Sequence, residues 1–300
     1  MQEEQYGRRY KERKETNRVI KKGVNCVFGE NVKMGESVIL GHNVIIEDNV
    51  EIGDETYIDS NTIIRSCVKL GSGSFIGSNC IVGEYLNDFC IHRKRNYQSL
   101  VIGDKAIIRS NTVIYCGSQI GNDFQTGHHV TVRENSQIGD NVSIGTNSDI
   151  QCDCVIGNFV RIHSRVFMAP LTNVSDYVWI FPGVILTNDP TPPSENMLGI
   201  TVGSFAVIAA GAMIISGVNI CKDSLIAAGA VVTKDVERYS VIAGNPGKRI
   251  SDIRDIRNKV TGEKVYPWRY SFSKYMPWDE IGFEKWYAEL DVEERKKISD

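Results

Sequence analysis

Phe28-Gly29-Glu30-Asn31-Val32-Lys33-Met34-Gly35-Glu36-Ser37-Val38-Ile39-Leu40-Gly41 puts an apolar residue on every sixth position, each followed by glycine. The period continues through Ile46, Ile52, Ile58, Ile64, Leu70 and Ile76 to Val82. It resumes from Ile102 to Leu186, with Thr126 as its polar member, and again from Val202 to Val232, giving 31 hexads in three runs. Two residues before each marker stands a small or β-branched residue, such as Val32, Val38, Thr56, Val142 or Ala206. Both positions therefore point inward. A helix would need apolar residues at i, i+3, i+4 and i+7, and an isolated amphipathic strand would alternate only briefly. Short strands joined by corners satisfy the pattern, with Gly or Asn supplying the tight backbone there.

A fixed hexapeptide period is the mark of a parallel β-helix, in which each coil buries its apolar side only by stacking on the next. Three hexads make a coil of 18 residues, so the chain should hold about ten coils, on the order of 50 Å long at the usual strand spacing. The expected organisation is a helical cap over 1–23, a β-helix over 24–250 with excursions at 84–101 and 188–200, and a helical, aromatic extension over 251–300.

With 42% hydrophobic and 24% charged residues and a net charge of −3, neither disorder nor a nucleic-acid footprint is expected. No apolar run approaches membrane-spanning length and the N-terminus has no signal core, which points to the cytoplasm. Cys26, Cys80 and Cys154 fall on the inward position, where cysteine acts as a small hydrophobe. Cys152 and Cys154 have no matching second pair for zinc, so reduced structural thiols and no metal are expected.

Loops on a rigid scaffold are where function concentrates. The first excursion is basic, with His92, Arg93, Lys94, Arg95 and Tyr97, and suits phosphate or a neighbouring subunit; Arg93 and Tyr97 are substrate-binding candidates. The second, through Asn188, Asp189, Pro190, Thr191, Pro192, Pro193, Ser194 and Glu195, is stiffened by proline and is the better site candidate. In the extension, Ser251 to Lys259 reads as a helix. The Tyr266-Pro267-Trp268-Arg269-Tyr270 and Met276-Pro277-Trp278 stretches precede a second helix with Phe283, Trp286, Tyr287 and Leu290, read as capping and docking surfaces.

Stacking at 18 residues aligns Cys116, Glu134, Cys152, Pro170 and Asn188 in one column and Asn111, His129, Asn147 and Arg165 in another. Glu134, Asn147 and Arg165 join the substrate-binding candidates. Adjacent His128 and His129 are proton-acceptor or substrate-orienting candidates, because imidazole titrates near neutrality; the plain alternative is a surface pair or a trimer contact. His42 and His163 read as structural or exposed.

Val231-Val232-Thr233-Lys234-Asp235-Val236 followed by Val241-Ile242-Ala243-Gly244-Asn245-Pro246-Gly247-Lys248 resembles the closing signature of left-handed hexapeptide-repeat acyltransferases that use acetyl-CoA. Leu186-Thr187-Asn188-Asp189-Pro190 is similar to the subgroup acting on nucleotide-linked amino sugars. Tyr-Pro-Trp-Arg with Met-Pro-Trp resembles its N-acetyltransferases for dTDP-linked 3-amino-3,6-dideoxyhexoses. The resemblance covers residues 24 to 250 and implies left-handed winding, against the usual crossover rule, and a homotrimer with sites between subunits. It also implies acetyl-CoA as co-substrate, with Gly203, Ala209, Ala227 and Ala228 along the pantetheine and Lys234, Lys248 and Arg249 at the phosphates. Asn188 would contact the sugar amine, with Asp189 or a histidine holding it or taking its proton.

The chain departs from relatives with a histidine in an Ala-His-Asp-Cys or Asp-His-Asp-Cys motif, since it reads Ile150-Gln151-Cys152-Asp153-Cys154. Asp189 likewise replaces the histidine that galactoside-type relatives place before the loop proline. Direct attack of an amine on the thioester needs mainly orientation and an oxyanion donor, so an N-acetyltransferase tolerates this loss. An acyl-cysteine on Cys116 or Cys152 has no adjacent base. The alternatives are an O-acetyltransferase, which requires a true base, and a non-catalytic scaffold, which would not bind coenzyme A. A zinc carbonic anhydrase is disfavoured by the spacing of His128, His129 and His163.

Overall fold

The computed structural model describes residues 21–94 and 98–299. The expected cap over 1–23 lies outside them except for its last three residues, and Arg95 and Tyr97 lie outside as well. The chain divides into two compact units, one of residues up to 129 with 133–135, the other of 130–132 with 136 onward. Each is a parallel β-solenoid whose short strands stack on three faces. In the first unit these faces begin at Lys21–Lys22, Val27–Phe28 and Lys33–Met34; in the second they begin at Ser143–Ile144, Thr131–Val132 and Gln137–Ile138. They are called the first, second and third faces of each unit.

Register follows the sequence period. Val27 pairs with Ile45 and Ile45 with Ile63, 18 residues apart, while Phe75 pairs with Ile107 and Ile185 with Met213. Each excursion thus leaves and rejoins with the ladder in step, apart from a bulge between Val82 and Glu84 where the first one departs. The units contain about 12 turns rather than the ten expected. Strands form where the period has not begun or has lapsed: Lys21–Lys22 pairs with Ile39–Leu40, and Ser240–Ala243 with Leu225–Ile226.

Corner chemistry is divided among three positions rather than resting on glycine alone. Positive φ falls three residues before the marker, as at Asn31 (57°), Asn43 (56°), Asn49 (59°) and Asn135 (58°), because Asn tolerates the left-handed region. The glycine after the marker is needed for space: a Cβ on Gly29 would lie 2.5 Å from the Asp48 nitrogen, and on Gly203 2.5 Å from that of Lys222. The next residue then ties successive coils. Asp48 Oδ1 accepts from the Glu30 N–H at 2.7 Å and Asp176 Oδ1 from that of Asn158 at 2.6 Å.

Inward aliphatics such as Ile46, Ile64, Ile144 and Ile180 are almost fully buried, each stabilising by about 1.5–3 kcal/mol. Inward polar side chains donate to the neighbouring coil: Thr62 Oγ1 to the Gly77 carbonyl at 2.8 Å, Ser148 Oγ to that of His163 at 3.0 Å, Cys80 Sγ to that of Arg109 at 3.3 Å. All eight cysteines are unpaired, and burial pushes the Cys154 thiol up to about 12.

The extension departs from expectation at its start. Lys248–Asp252 is a strand antiparallel to Ser240–Ala243, followed by a 3-10 turn at Ile253–Asp255, where a helix over 251–259 was expected. Pairing with the last solenoid strand overrides the local helical preference of a charged segment. The second expected helix forms over Phe283–Glu289. Trp268, Met276, Trp278 and Phe283 pack on Tyr177, Phe205 and Val207 of the second unit. Tyr177 and Phe205 occupy corner positions with φ of 61° and 62° and stack 4.9 Å apart, so aromatic burial compensates for a conformation that bulky residues avoid. Trp268 Nε1 donates to the Phe205 carbonyl at 3.0 Å, and Arg161 donates to that of Tyr275 at 2.6 Å. Arg269 pairs with Asp223, whose side chain is 1% exposed.

Candidate active site

In the second unit the corner between the first and second faces gathers more of the candidate residues than any other. Successive coils place Gly145, His163, Phe181, Ala209 and Ala227 one residue beyond the first-face strand, and Ala243 follows where Ala227 N–H donates to the Ile242 carbonyl at 2.8 Å. Asn147 and Arg165 hold the left-handed position of this corner (59° for both) and are exposed. Further along, the same position passes to Gly183, Gly211 and Gly229. A Cβ on Gly211 or Gly229 would meet nothing within 4 Å, so the corner beside Ala228 is an open, shallow floor. Lys248 pairs with Ala243, and Arg249 contacts Glu237 at 3.2 Å. Asn147, Arg165, Ala209, Ala227, Ala228 and Lys248 thus lie along or at the end of one corner.

His163 belongs to this group, although its sequence position suggested only a structural or exposed residue. Its ring stacks on Phe181 at 4.7 Å and lies 5.9 Å from Trp179, and Nε2 is buried without a hydrogen-bond partner. Burial alone lowers its pKa and keeps the imidazole neutral near pH 7.

Other candidates lie elsewhere in this unit. Gly203 occupies the corner between the third and first faces, where its missing Cβ admits the Lys222 backbone; its role there is packing. Exposed Lys234 stands at the corner between the second and third faces. That corner also carries the second excursion. The Asn188 carbonyl accepts from the Leu198 N–H at 2.7 Å and closes the base of the loop. Asp189 accepts from the Thr191 N–H (2.9 Å), the Ser194 N–H (2.8 Å) and the Ser194 hydroxyl (2.7 Å). The Ser194 hydroxyl leads the contributions that lower its pKa, so Asp189 is a loop fastener and a weaker base than an ordinary carboxylate.

The first unit holds the remaining candidates. His128 and His129 are exposed just beyond the first-face strand Gln125–Thr126; His129 takes a φ of 55° and its N–H donates to the Ser110 carbonyl at 3.2 Å. The left-handed position explains part of the pair: His129 does the work that Asn111 does one coil earlier. Glu134 is held bidentately by Arg133 at 2.7 and 2.8 Å. Burial pushes its carboxyl up, but the hydrogen bond and charge of Arg133 outweigh that and leave the pKa lowered. Arg93 is exposed and donates to the Phe89 and Cys90 carbonyls, capping the helix Asn87–His92. Tyr97 lies outside the described residues.

Sequence reading missed the anchor of the first excursion. Glu47 accepts from Arg65 (2.8 Å), Tyr85 (2.9 Å) and the Ser66 hydroxyl (3.1 Å), and the Arg65 guanidinium lies over the Tyr85 ring at 4.2 Å. Burial raises the Glu47 pKa, but the hydrogen bonds of Arg65 and Tyr85 prevail and lower it. The signal was present, since Glu47 and Arg65 are 18 residues apart. Among the described residues no group of three His, Cys, Asp or Glu could hold a metal ion, and no helix is long and apolar enough to cross a membrane.

Residues 49–84 and 135–170 match the bacterial transferase hexapeptide (six repeats), and 212–234 match the hexapeptide repeat of succinyl-transferase. The chain is 40% identical over 105 residues to a Saccharomyces cerevisiae protein named as an acetyltransferase, covering 35% of this chain and 52% of that protein. It is 34% identical over 86 residues to 2,3,4,5-tetrahydropyridine-2,6-dicarboxylate N-acetyltransferase of Staphylococcus aureus, covering 28% of this chain and 35% of that protein. The chain therefore spans only about half or a third of these relatives. A solved UDP-N-acetylglucosamine acyltransferase from Campylobacter jejuni aligns over 80% of this chain and 79% of its own at 18% identity, with a TM-score of 0.45. Both units are β-solenoids, three stretches of which match transferase hexapeptide repeats, and the chain is similar in sequence to proteins named for acetyl transfer.

Proposed function

We propose that the protein is an acetyl-CoA-dependent N-acetyltransferase whose acceptor is the amine of a nucleotide-linked amino sugar, a dTDP-3-amino-3,6-dideoxyhexose. The observation that carries the reading is the open corner of the second unit, where Ala209, Ala227, Ala228, Gly211 and Gly229 leave room for a thin chain and Lys248 supplies positive charge at its end. Similarity to proteins named as acetyltransferases supports the reaction class. The nucleotide sugar rests on the sequence resemblance, since a fold alone hosts many functions.

In this reading the amine nitrogen attacks the thioester carbonyl directly. The carbon–nitrogen bond forms, the carbon–sulfur bond breaks, and coenzyme A leaves as a thiol carrying the proton the nitrogen loses. Orientation supplies most of the acceleration, with a corner amide meeting the developing oxyanion. Asn188 holds the amine. As the sequence resemblance implies, the site lies between copies of a homotrimer. Apolar side chains exposed on the first and second faces, such as Ile39, Phe75, Val27 and Ile45 of the first unit, support such contacts.

The test is thiol release from acetyl-CoA against dTDP- and UDP-linked 3-amino and 4-amino sugars, with His128→Asn, His129→Asn and Asn188→Ala in parallel. Turnover with one amino sugar is expected. Coenzyme A binding without turnover would favour a hydroxyl acceptor, for which neutral His163 is the base within the same corner. No coenzyme A binding would leave a scaffold.

A further inference from the structure

At the open corner of the second unit the small side chains stop abruptly. Going back along the column that lies one residue beyond the first-face strand, Ala227 and Ala209 are followed by Phe181 and then His163. Ala209 and Ala227 are half-buried, and Ala210, Gly211, Ala228 and Gly229 beside them are exposed, so these two coils present only backbone and methyl groups at the surface. The Phe181 ring stacks on His163 with centroids 4.7 Å apart and planes within 15°. That separation matches the coil spacing of about 4.8 Å, so the two rings lie one above the other along the corner. The opposite face of Phe181 therefore looks toward the coil of Ala209, where a methyl group stands in place of a third ring. Its neighbours hold the ring there. His163 backs it, Trp179 flanks it at 6.2 Å, and Trp179 meets Trp268 (6.0 Å, 84°) and Phe272 (5.5 Å, 86°) of the extension at near right angles. Phe181 also packs on the extension's buried aromatic cluster, and its N–H donates to the Ile208 carbonyl at 2.8 Å.

We propose that Phe181 is the end wall of the acyl site and restricts the donor to acetyl-CoA, excluding longer acyl chains. This rests on the reading above, in which coenzyme A lies with its phosphates at Lys248 and its arm along Ala228, Ala227 and Ala209. The thioester then arrives at the last small coil before Phe181, and whatever the acyl group carries beyond its carbonyl meets the ring face. A methyl group fits against that face in van der Waals contact. Each further methylene has to displace a ring that is braced from behind and from the side, and such overpacking separates substrates that differ only in chain length. Trp179, Trp268 and Phe272 are positioning residues in this arrangement: they hold the wall and do not meet the donor.

Isothermal titration of the full chain with acetyl-, butyryl- and hexanoyl-CoA tests the wall and needs no acceptor. Wild type should bind hexanoyl-CoA at least about tenfold more weakly than acetyl-CoA, and Phe181→Ala should bring the two within about threefold of each other. Phe181→Leu keeps apolar bulk against Trp179 while giving up the ring. It should fall between the two, and it carries the test if thermal unfolding shows that the alanine variant does not fold. Wild type that binds none of the three donors would overturn the coenzyme A reading and the wall with it. Wild type that binds hexanoyl-CoA as tightly as acetyl-CoA would overturn the wall alone. So would a folded variant that weakens all three donors alike and keeps the wild-type ratio, since that is the mark of a purely structural ring.

Discussion

Gly203 and Gly229 make the sharpest contrast in this chain, because Gly203 was expected near a cofactor, Gly229 adjoins Ala228, which was expected there as well, and the structure gives the two glycines opposite reasons to be glycine. An alanine Cβ at Gly203 would sit 2.5 Å from the Lys222 nitrogen and 3.0 Å from the Cys221 carbonyl carbon. Both are backbone atoms in a hydrogen-bonded coil, with the Gly203 N–H donating to the Ile220 carbonyl at 2.7 Å, so neither side can yield without breaking the ladder. Overpacking of this kind costs roughly 1–3 kcal/mol, and backbone on both sides places Gly203→Ala near about 3. At Gly229 the Cβ meets nothing within 4 Å, but φ is 68°. The cost of Gly229→Ala is then the left-handed penalty of an L-residue, about 1 kcal/mol. Asparagine accommodates that φ, so Gly229→Asn should be nearly neutral for stability while its amide projects over the open corner.

Amide exchange across residues 201–226 and isothermal titration with acetyl-CoA would read the two effects separately. Gly203→Ala should raise local opening by about 30-fold relative to Gly229→Ala, the equivalent of about 2 kcal/mol. Gly229→Asn should fold like wild type and bind acetyl-CoA at least about tenfold more weakly, since a side chain would occupy the path assigned to the pantetheine. Equal stability of Gly203→Ala and wild type would refute the packing argument. Undiminished binding by Gly229→Asn would refute the corner as the cofactor path.

Asp189→Ala should release the second excursion and speed proteolytic cleavage between 190 and 197. Because the folded carboxyl titrates below its ordinary value of 3.8, its protection is present above that pH and should fade as pH falls through the folded pKa. Asp223→Asn leaves Arg269 without its buried partner and should cost about 3–5 kcal/mol, partly offset by the Phe205 and Phe283 faces that the guanidinium already touches. Arg238→Ala, at the exposed end of the same cluster, should cost under about 1 kcal/mol in the same unfolding assay; equal losses would sink the distinction. His163 has a folded pKa below 6.5, so wild-type stability should fall as pH drops from about 6.5 toward that value. The slope should stay under about 1.4 kcal/mol per pH unit because a single proton is taken up, and His163→Phe should abolish it.

The solenoid was legible because its information is local and repeated: each marker, inward partner and corner glycine recurs every six residues, and register follows by counting 18. What escaped were contacts that no period announces. Trp278 meets Tyr177 a hundred residues away, at 5.3 Å, and no feature of either segment names the other. Ser251 and Asp252, the end of the strand Lys248–Asp252, read as the start of a helix until the partner Ser240–Ala243 is known, since pairing decides what propensity only biases. The site falls between these cases. Asn147, Arg165, Ala209 and Ala227 were each identifiable, yet their common corner appears only once the second excursion is removed from the count. The same subtraction would have carried His163 through Phe181 to Ala209 and turned an apparently structural histidine into part of the candidate site. The exposed pair His128 and His129 drew attention as adjacent histidines, but one of them sits where the backbone needs a residue that accepts positive φ. In a repeat protein the column a residue occupies says more about its role than its type does, because the fold assigns each column its own conformational task before any chemistry is added.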